Sequence, residues 1–475
     1  SSKINNAKTH LIFLILWILC GIFVWQEYIN QNKQKSSNFT LPLPTNPQPN
    51  SQTPQKKLAN SISQTLQTPL FFDVPNATKS AHASTIIDIS NLQQKNNNNA
   101  TNMLLYFAGS REGASDVCIY QSFFVQKNVA TLNKDSFFWS EPKAILCPQD
   151  LSKMSGKFIK KLGNPVSFVD SLGRVHLFVV GVSMGGWATS KIYHFLFLDS
   201  LKRVKFVREL HLSPILNLSH LVRNPAMILE NGDFILPIYN EFAKKYPLLL
   251  YIDSTLVAKT KFKPILPRYA FSFPNAQNQL QPSFVPLDFD LFFSVFRNYK
   301  GDNIMKTALC KKKADFDKSK CEILRSNLKN FDFSSVLFRL DSAVLLLHNH
   351  AKSISGNPRE ELWLYKLQKS NKRNLQKSSV QNVNAEDFSL QDFGLYSDSK
   401  QVDFIPIMKI DELLGREVSY PSVAQNSEFV HISYTFGREH IRTAIVPKAY
   451  ILQQLAKSNN QKSNNAKSTK KEQAR

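Results

Sequence analysis

A strand–turn–strand unit that recurs along the chain limits what this sequence can fold into. Its clearest copy occupies residues 223–241 (RNPAMILENGDFILPIYNE), where two apolar runs flank the pair Asn231-Gly232. Asn-Gly between apolar runs is the strongest short-range signal for a β-hairpin. A single hairpin is not stable alone in water, so the chain must pack several of them together.

The same pattern returns in five more places. Each copy has a short apolar run opened by Pro or Ser, a polar turn and a second apolar run, and the other copies open at His82, Asn164, Gln281, Ser334 and Tyr420. Second strands are predicted to begin near residues 103, 175, 234, 291, 343 and 429, each followed by a third strand. Six such units without long amphipathic helices between them predict an all-β, six-bladed β-propeller. A large β-sandwich is the alternative, but it would not require six hairpins in register.

Equivalent positions of the six copies would meet around the central axis of a propeller. Many of these positions carry polar or aromatic side chains. Those that open the first strands are His82, Asn164, Asn224, Gln281, Ser334 and Tyr420, and those at or just after the ends of the second strands include Asn240, Glu241, Arg297 and His350. Because a converging ring of polar side chains is a typical ligand site, we predict that a ligand binds at the mouth of the channel.

The sequence outside the repeats divides into three regions. Residues 1–30 contain an apolar run at 11–25 behind Lys3 and Lys8, which predicts one N-terminal transmembrane helix, with a signal peptide as the alternative. Residues 31–79, rich in Asn, Gln, Ser and Pro, predict a linker before the propeller at 80–452, with a flexible tether at about 31–60. Residues 453–475 predict a basic disordered tail. We therefore expect a monomeric propeller held on a membrane by its N-terminal helix and exported to the periplasm or the cell exterior.

Charge and cysteine content narrow the possible partners. The net charge of +23 favours a solvated surface attracted to anionic membranes or glycans, and no nucleic-acid-binding motif accompanies it.

We expect no metal or cofactor, because the cysteines form no CxxC pair and His348 and His350, two apart on one strand, lack an evident third ligand. Cys310 and Cys321 could close a disulfide, whereas a buried free thiol is at least as good an interpretation for Cys118.

Several motifs together resemble those of the sialidase (neuraminidase) superfamily, in particular its BNR-repeat-like branch. They are HASTI at 82–86, FAGSREGASDVCIYQS at 107–122, WSEP at 139–142, LQPS at 280–283, VSYPSVAQ at 418–425 and HISYTFGREHIR at 431–442. The resemblance covers residues 80–447 and implies a six-bladed propeller with exo-glycosidase activity. In sialidases three arginines bind the sugar carboxylate, a tyrosine activated by a glutamate attacks the anomeric carbon, and an aspartate protonates the leaving group.

The resemblance implies roles for particular residues of this chain. Tyr420 would be the nucleophile and Asp116 the acid, Arg297 and Arg359 would be two arginines of the triad, and Arg111 would be an additional arginine that contacts the sugar ring. Each has a structural alternative. Tyr420 could pack against the neighbouring blade, Asp116 could only begin its strand, and the arginines could be surface charges.

Two positions depart from the family pattern. His82 stands where the first triad arginine is expected, and an imidazole cannot clamp a carboxylate with two parallel hydrogen bonds. Gln281 stands where the activating glutamate is expected, and an amide cannot accept the phenol proton. Glu241 or Glu417 could replace that base. The ring positions predicted to contact substrate are His82, Gln281, Asn164 and Asn224.

Two functions fit these features. The first is a membrane-tethered, exported exo-glycosidase of the sialidase type that acts on acidic or acetylated sugars of glycans, and the two departures favour a sugar other than sialic acid. The second is a non-catalytic glycan-binding or structural propeller that has lost sialidase chemistry.

Overall fold

Six sheets, antiparallel except for one short parallel pair, follow one another along the chain and form the blades of one propeller. The computed structural model describes residues 2–33, 39–42, 68–76, 78–93, 100–127, 134–212, 217–242, 244–253, 269–313, 316–351, 356–368 and 401–458, with side chains throughout except at 2–9, 26–33, 93, 269 and 317. The predicted all-β, six-bladed propeller is confirmed.

The first strand of the chain, β1 (Leu70–Asp73), belongs to the last blade, and the next strands build blades 1 to 3 in order. Blade 1 contains β2 (Ser80–Asp88), β3 (Ala100–Gly109), β4 (Cys118–Gln126), β5 (Phe137–Trp139) and β6 (Lys143–Leu146). Blade 2 contains β7 (Lys161–Val169), β8 (Val175–Val182), β9 (Ser190–Leu198) and β10 (Arg203–Glu209). Blade 3 contains β11 (His220–Val222), β12 (Met227–Ile228), β13 (Phe234–Asn240), β14 (Tyr246–Ile252) and β15 (Tyr269–Ser272).

Blades 4 to 6 continue the same order, with one exchange between neighbours. Blade 4 contains β16 (Gln279–Pro286), β17 (Leu291–Asn298), β18 (Ile304–Lys311) and β19 (Lys320–Lys329), and β23 (Gln401–Val402) pairs in parallel with its outer edge. Blade 5 contains β20 (Val336–Leu340), β21 (Ala343–Asn349), β22 (Glu361–Leu367) and β24 (Phe404–Glu412). Blade 6 contains β25 (Val418–Gln425), β26 (Phe429–Phe436) and β27 (His440–Pro447). In all six blades the second strand begins within a few residues of its predicted position.

Strands from both ends of the sequence close blade 6. β1 pairs antiparallel with β27, so that Leu70 lies opposite Ile445 and Asp73 lies opposite Arg442. This pairing joins the first and last strands of the described propeller, and it therefore locks the ring of blades. Residues 70–73 of the predicted linker (31–79) therefore belong to the propeller.

A second part of that predicted linker also packs against the propeller. Phe39 stacks on Tyr251 of blade 3 with 5.0 Å between ring centroids, and Leu41 donates its backbone N–H to the carbonyl oxygen of Phe289 in blade 4 (2.9 Å). Both Phe39 and Leu41 are buried. Residues 39–42 therefore cover the seam between blades 3 and 4, where we expected only tether.

Hydrophobic cores fill the seams between neighbouring blades. Between blades 2 and 3, Phe178 packs in one cluster with Leu236 and Leu250, and between blades 5 and 6, Leu347 packs with Ile432. Burying one such side chain contributes about 1.5–3 kcal/mol. Because the seams run around the whole propeller, these contacts hold the blades in their order.

Serine hydroxyls of the repeated Pro-Ser motif join one blade to the next near the axis. Ser283 Oγ in blade 4 accepts a hydrogen bond from the backbone N–H of Leu337 in blade 5 (2.9 Å). Ser422 Oγ in blade 6 accepts one from the N–H of Ile86 in blade 1 (3.3 Å). Innermost strands have no further strand on the axial side, so these hydroxyls satisfy backbone donors that would otherwise be unpaired.

The helices are α1 (Ser2–Lys33), α2 (Ser90–Gln93), α3 (Pro148–Ser155) and a helix at 448–458, with 3₁₀ turns at Lys134–Ser136, Gly186–Thr189 and Phe316–Lys318. Among the residues with a described placement, no helix is both long and apolar enough to cross a bilayer, so the predicted transmembrane helix is not confirmed. The helix at 448–458 extends past residue 452, where we expected the tail to begin, and its Leu455 is buried against blades 5 and 6. The rest of the predicted tail lies outside the described residues.

Two disulfides staple the outer parts of blades 1 and 4. Cys310 and Cys321 face each other on β18 and β19 and are bonded, which confirms the predicted pairing. Cys118 is bonded to Cys147, just before α3. The interpretation of Cys118 as a free thiol is therefore wrong, because the fold brings a cysteine from beyond β6 next to the start of β4.

Candidate functional site

The first strands of four blades carry a β-bulge where they approach the axis. Three residues at or beside the bulges have a positive φ although they are not glycine: Ala83 at 45°, Gln281 at 48° and Tyr420 at 55°. Such a conformation costs about 1–3 kcal/mol for each residue and is concentrated at functional sites. Bulges also turn side chains out of the regular alternation. The shifts in strand register fall between His82 and Thr85, Leu162 and Pro165, Leu280 and Ser283, and Ser419 and Ser422.

Tyr420 lies at the centre of the site with only 7% of its surface exposed. Arg297 Nη1 donates a hydrogen bond to its phenol oxygen (2.9 Å). The guanidinium carbons of Arg223, Arg297 and Arg359 lie 5.4, 5.8 and 5.8 Å from the centroid of its ring. His82 packs edge-on against the same ring, with 4.3 Å between centroids. The phenol is therefore surrounded by three cations and one imidazole.

Arg297 is held from both sides. Its Nε and Nη2 donate to the two carboxylate oxygens of Asp332 (2.5 and 2.6 Å), while Nη1 bonds Tyr420. Burial opposes the charged guanidinium, but the oxygens of Tyr420 and Asp332 outweigh it and keep the pKa of Arg297 well above its usual value. Paired bonds of this kind fix the direction of the side chain as well as its charge.

Glu417 links two further arginines to the ring. Its Oε2 lies 3.5 Å from Nη1 of Arg359, and its Oε1 lies 2.9 Å from Nε of Arg438. Arg359 Nη2 also donates to the backbone oxygen of Asp332 (2.9 Å), and Arg438 Nη1 contacts Glu112 Oε2 (2.5 Å). Burial opposes the charge of Arg438, but the two glutamates outweigh it and raise its pKa. The charged groups thus alternate in sign around Tyr420.

Arg223 is a fully buried cation that reaches across the axis from blade 3. Its Nη1 donates to the carbonyl oxygen of Ser84 in blade 1 (3.3 Å), and its Nη2 donates to that of Pro421 in blade 6 (2.9 Å). Burial lowers its pKa to about 10, so it remains charged near neutral pH. It ties the bulged strands of two blades together beneath the tyrosine.

His82 and Gln281, the two departures from the family pattern, are both buried in this ring. His82 Nδ1 lies 3.8 Å from Glu417 Oε1, beyond hydrogen-bond distance, and neither ring nitrogen has a hydrogen-bond partner in the described part of the chain. Burial, then the charges of nearby arginines, hold the pKa of His82 well below its usual range, so the ring is neutral. Gln281 Nε2 donates to the hydroxyl of Tyr239 (3.4 Å), and its Oε1 has no partner among these residues.

The two ring asparagines bind the backbone of the next blade. Asn164 Nδ2 donates to the carbonyl oxygen of Val222 (3.1 Å), and Asn224 Nδ2 donates to those of Gln281 (3.1 Å) and Pro282 (3.0 Å). These contacts join blade 2 to blade 3 and blade 3 to blade 4. The predicted contact of both amides with substrate stays a prediction.

Three other predicted site residues lie around the mouth, and the described contacts do not connect them to Tyr420. Asp116 is exposed and accepts hydrogen bonds from the N–H and Oγ of Ser110 (3.0 and 2.9 Å), so it closes the loop after β3. Arg111 is exposed in that loop, and Glu241 pairs with Lys245 (3.4 Å). Their predicted roles as acid, sugar contact and base stay predictions.

The two histidines of β21 and its end are occupied by protein groups. His348 Nδ1 lies 2.7 Å from Ser335 Oγ and its Nε2 lies 2.8 Å from the carbonyl oxygen of Lys329, while His350 Nδ1 lies 2.6 Å from the hydroxyl of Tyr365. Both rings therefore serve the packing of blade 5.

Sequence reasoning missed three members of this site: Arg223, Asp332 and Arg438. Arg223 and Arg438 stand inside the quoted motifs RNPAMILENGDFILPIYNE and HISYTFGREHIR, and Arg223 directly precedes the residue that opens its copy. An unexplained arginine beside a ring position was the available signal for both. Asp332 lies between β19 and β20, outside the repeated positions, and no sequence signal marked it.

Comparisons with known proteins agree with the fold. Residues 101–432 match the family described as BNR repeat-like domain. No curated protein sequence matches the chain. Similar solved structures include Trypanosoma rangeli sialidase in complex with the inhibitor DANA (TM-score 0.51, 9% identity, 83% of this chain and 61% of that chain). Others are phage phi92 endosialidase (TM-score 0.49, 9% identity, 80% and 69%) and a protein of unknown function from Dyadobacter fermentans (TM-score 0.47, 12% identity, 80% and 100%).

The likeness to the T. rangeli sialidase shows the fold alone, and the chain spans 61% of the length of that protein. The family match covers more than half of the sequence, including the strands that carry Gln281, Arg297 and Tyr420. This chain therefore belongs to the BNR repeat-like domain family, as its motifs predict.

Proposed function

We propose that this propeller is a retaining glycoside hydrolase of the sialidase type, with Tyr420 as its nucleophile. The observation that supports it best is the buried phenol of Tyr420, held at a strained backbone position and hydrogen bonded by Arg297. A tyrosine that served only in packing would require neither the positive φ nor three guanidinium groups around its ring.

The reaction follows from the groups around the phenol. The oxygen of Tyr420 attacks the anomeric carbon and forms an aryl glycoside, the glycosidic bond breaks, and the leaving oxygen takes a proton from an acid, for which Asp116 remains our candidate. Water then cleaves the aryl glycoside and restores the phenol. Arg297 stabilises the negative charge that develops on the phenol oxygen during attack and again when that oxygen leaves.

Gln281 changes the first step. An amide cannot take the phenol proton, and no carboxylate hydrogen bonds to Tyr420 within the described ranges. We therefore propose that Tyr420 passes its proton to solvent as its oxygen attacks the anomeric carbon.

The full chain should be assayed on a fluorogenic panel of neutral glycosides, N-acetylhexosaminides, uronides and sialosides. We expect hydrolysis of at least one member and a fall of about 10³-fold or more in Tyr420→Phe. Tyr120→Phe, a change of the same kind in blade 1 away from the ring, should keep wild-type turnover. Full turnover in Tyr420→Phe would remove the tyrosine from the mechanism.

A non-catalytic glycan-binding propeller is the second candidate, and the replacement of the activating glutamate by Gln281 favours it. The same panel separates the two proposals. Sugar binding without any hydrolysis, lost in Arg297→Ala, would indicate a propeller that recognises glycans and does no chemistry.

We also propose that the propeller is exported and tethered through its N-terminal segment. The disulfides Cys118–Cys147 and Cys310–Cys321 support export, since such bonds persist mainly in oxidising compartments. Alkylation of thiols before and after reduction should therefore reveal four protected cysteines in protein taken from cells. Four thiols that react without reduction would contradict export.

A further inference from the structure

Each arginine around Tyr420 already has an acceptor within the protein. Asp332 accepts hydrogen bonds from Nε and Nη2 of Arg297, and the hydroxyl of Tyr420 accepts one from Nη1. Arg359 contacts Glu417 and the backbone oxygen of Asp332. A sugar carboxylate that entered this ring would have to displace one of these carboxylates or lie beside it.

The charges in the ring nearly balance. The arginines at 297, 359 and 438 face the carboxylates of Asp332, Glu417 and Glu112. Arg223 donates to backbone oxygens instead, and the imidazole of His82 is neutral. Like charges at close range in a half-buried site repel strongly, because little water screens them. The protein's own carboxylates therefore occupy the positions at which an anionic sugar would gain its binding energy.

The polar atoms that remain free in the ring fit a different kind of group. His82 is 2% exposed and Gln281 is 3% exposed, yet both nitrogens of His82 and Oε1 of Gln281 lack a hydrogen-bond partner in the described part of the molecule. Buried polar atoms are normally bonded, so these atoms point to a ligand that completes them. A neutral imidazole offers one donor and one acceptor, and an amide oxygen only accepts.

A carboxylate cannot satisfy these atoms, because it has no hydrogen to donate to Gln281 Oε1. A hydroxyl donates and accepts, and an acetamido group offers an N–H and a carbonyl oxygen, so both satisfy an imidazole and an amide oxygen together. We infer that the sugar bound against Tyr420 is uncharged and that His82 and Gln281 select it through its hydroxyl or acetamido groups. This inference rests on the proposed function only in that a glycan binds at Tyr420, and it keeps the acetylated but not the acidic part of the sequence-based prediction.

Binding of single sugars to the full chain tests the inference separately from hydrolysis. The probes are the methyl glycosides of galactose, N-acetylglucosamine, glucuronic acid and N-acetylneuraminic acid, measured by calorimetry. We expect a neutral probe to bind at least tenfold tighter than either acid. Tighter binding of glucuronide or sialoside than of both neutral probes would overturn the inference, as would a lack of binding by every probe.

Substitutions in the ring should then shift the relative affinity from the neutral probes toward the acidic ones. Asp332→Asn removes the carboxylate that accepts from Nε and Nη2 of Arg297, and we expect at least a tenfold gain in affinity for the acidic probes. Asp302→Asn, which removes an exposed carboxylate paired with Lys306 and Arg325 at the rim of blade 4, should change neither class. An unchanged preference in Asp332→Asn would contradict neutralisation by that residue.

Two substitutions at Gln281 test whether its Oε1 accepts a hydrogen bond from the sugar. Gln281→Met should weaken binding of the neutral probe at least tenfold, whereas Gln281→Glu keeps an oxygen that accepts from a hydroxyl and should retain most of it. If Asp332→Asn does not fold, Glu417→Gln tests the same neutralisation through Arg359. Neutral-sugar binding without turnover of any glycoside would remove the hydrolase and leave this inference intact.

Discussion

The two sides of the ring around the axis use their polar side chains differently. Blades 4 to 6 supply charged groups that bind one another through their side chains, as Arg297 binds Asp332 and Tyr420. Blades 2 and 3 supply Asn164 and Arg223, whose donors bond backbone oxygens of other blades. Equivalent positions in a repeat therefore surround Tyr420, the proposed nucleophile, on one side and join blades on the other. We call blades 4 to 6 the chemical side, after the proposed function, and blades 2 and 3 the assembly side.

This difference shows why a polar ring is not by itself an active site. The asparagine amides on one side are consumed by carbonyl groups, so a ligand would have to compete with them. On the other side Asp332 and Arg438 are each more than one third exposed, so solvent reaches the charged groups around Tyr420. We therefore expect substitutions in blades 4 to 6 to change turnover and those in blade 2 to change stability.

Arg297→Lys tests the chemical side and should have the largest effect on turnover among the substitutions compared in this section. An ammonium cannot donate to Asp332 with two parallel bonds and to Tyr420 at the same time. Removing one such preorganised donor typically costs about 10²–10³ in rate, and we expect that loss in kcat/KM. The measurement is steady-state hydrolysis of the best substrate in the panel, together with urea unfolding to show that the fold is kept.

Arg339→Lys is the matched control for that substitution. Arg339 lies on β20 and donates to the backbone oxygen of Pro286 (2.8 Å), away from Tyr420. Its turnover should stay within about twofold of wild type. Equal losses in the two variants would mean that any arginine-to-lysine change harms the propeller, and the division between the two sides would fail.

His82→Asn should sharpen the comparison through pH. The folded pKa of His82 lies well below the value of about 6.5 expected in an unfolded chain, because burial and then the arginines disfavour its charged form. The unfolded chain therefore binds the extra proton as the pH falls, and stability is lost below about pH 6.5 while nothing changes above it. Between pH 7 and 5.5 this term amounts to about 1 kcal/mol, and the variant should lack it in urea unfolding.

His348→Asn provides the partner experiment on the packing of blade 5. Burial lowers the pKa of His348 to about 4, so the wild-type chain loses stability through it over the same falling pH range. Both variants should flatten the pH dependence of the free energy of unfolding, but only His82→Asn should weaken sugar binding. A loss of binding in His348→Asn of equal size would show that the ring does not act separately from the blade.

The fold could be predicted because its information is periodic. The turn at Asn231-Gly232 and its five relatives place the second strands within a few residues of where they lie. β1 was missed because Leu70–Asp73 is one short apolar run whose partner strand, β27, is at the far end of the propeller sequence. Local patterns contain no signal for a pairing of that separation.

Site residues could be predicted from the repeat only where they occupy equivalent positions of its copies. Equivalent positions converge, so Arg297 and Tyr420 were expected together, and the family resemblance added Arg359. All three lie together. Asp332, which holds Arg297, lies outside the repeated positions, and Arg223 acts by the reach of its side chain across the axis. The positive φ of Tyr420 was also not predictable, because a tyrosine disfavours that conformation and only the surrounding structure imposes it.

Asn164→Ala should break the assembly side with the smallest effect. The variant loses the hydrogen bond from Nδ2 to the oxygen of Val222, which lies next to Arg223, and we expect the free energy of unfolding to fall by about 1 kcal/mol. Asn164→Asp should cost more, since a carboxylate places an acceptor against a carbonyl oxygen. Turnover and sugar affinity should stay within about twofold of wild type in both variants, measured alongside urea unfolding. Weaker sugar binding at unchanged stability would instead make Asn164 a substrate contact, as its ring position predicted, and would extend the chemical side into blade 2.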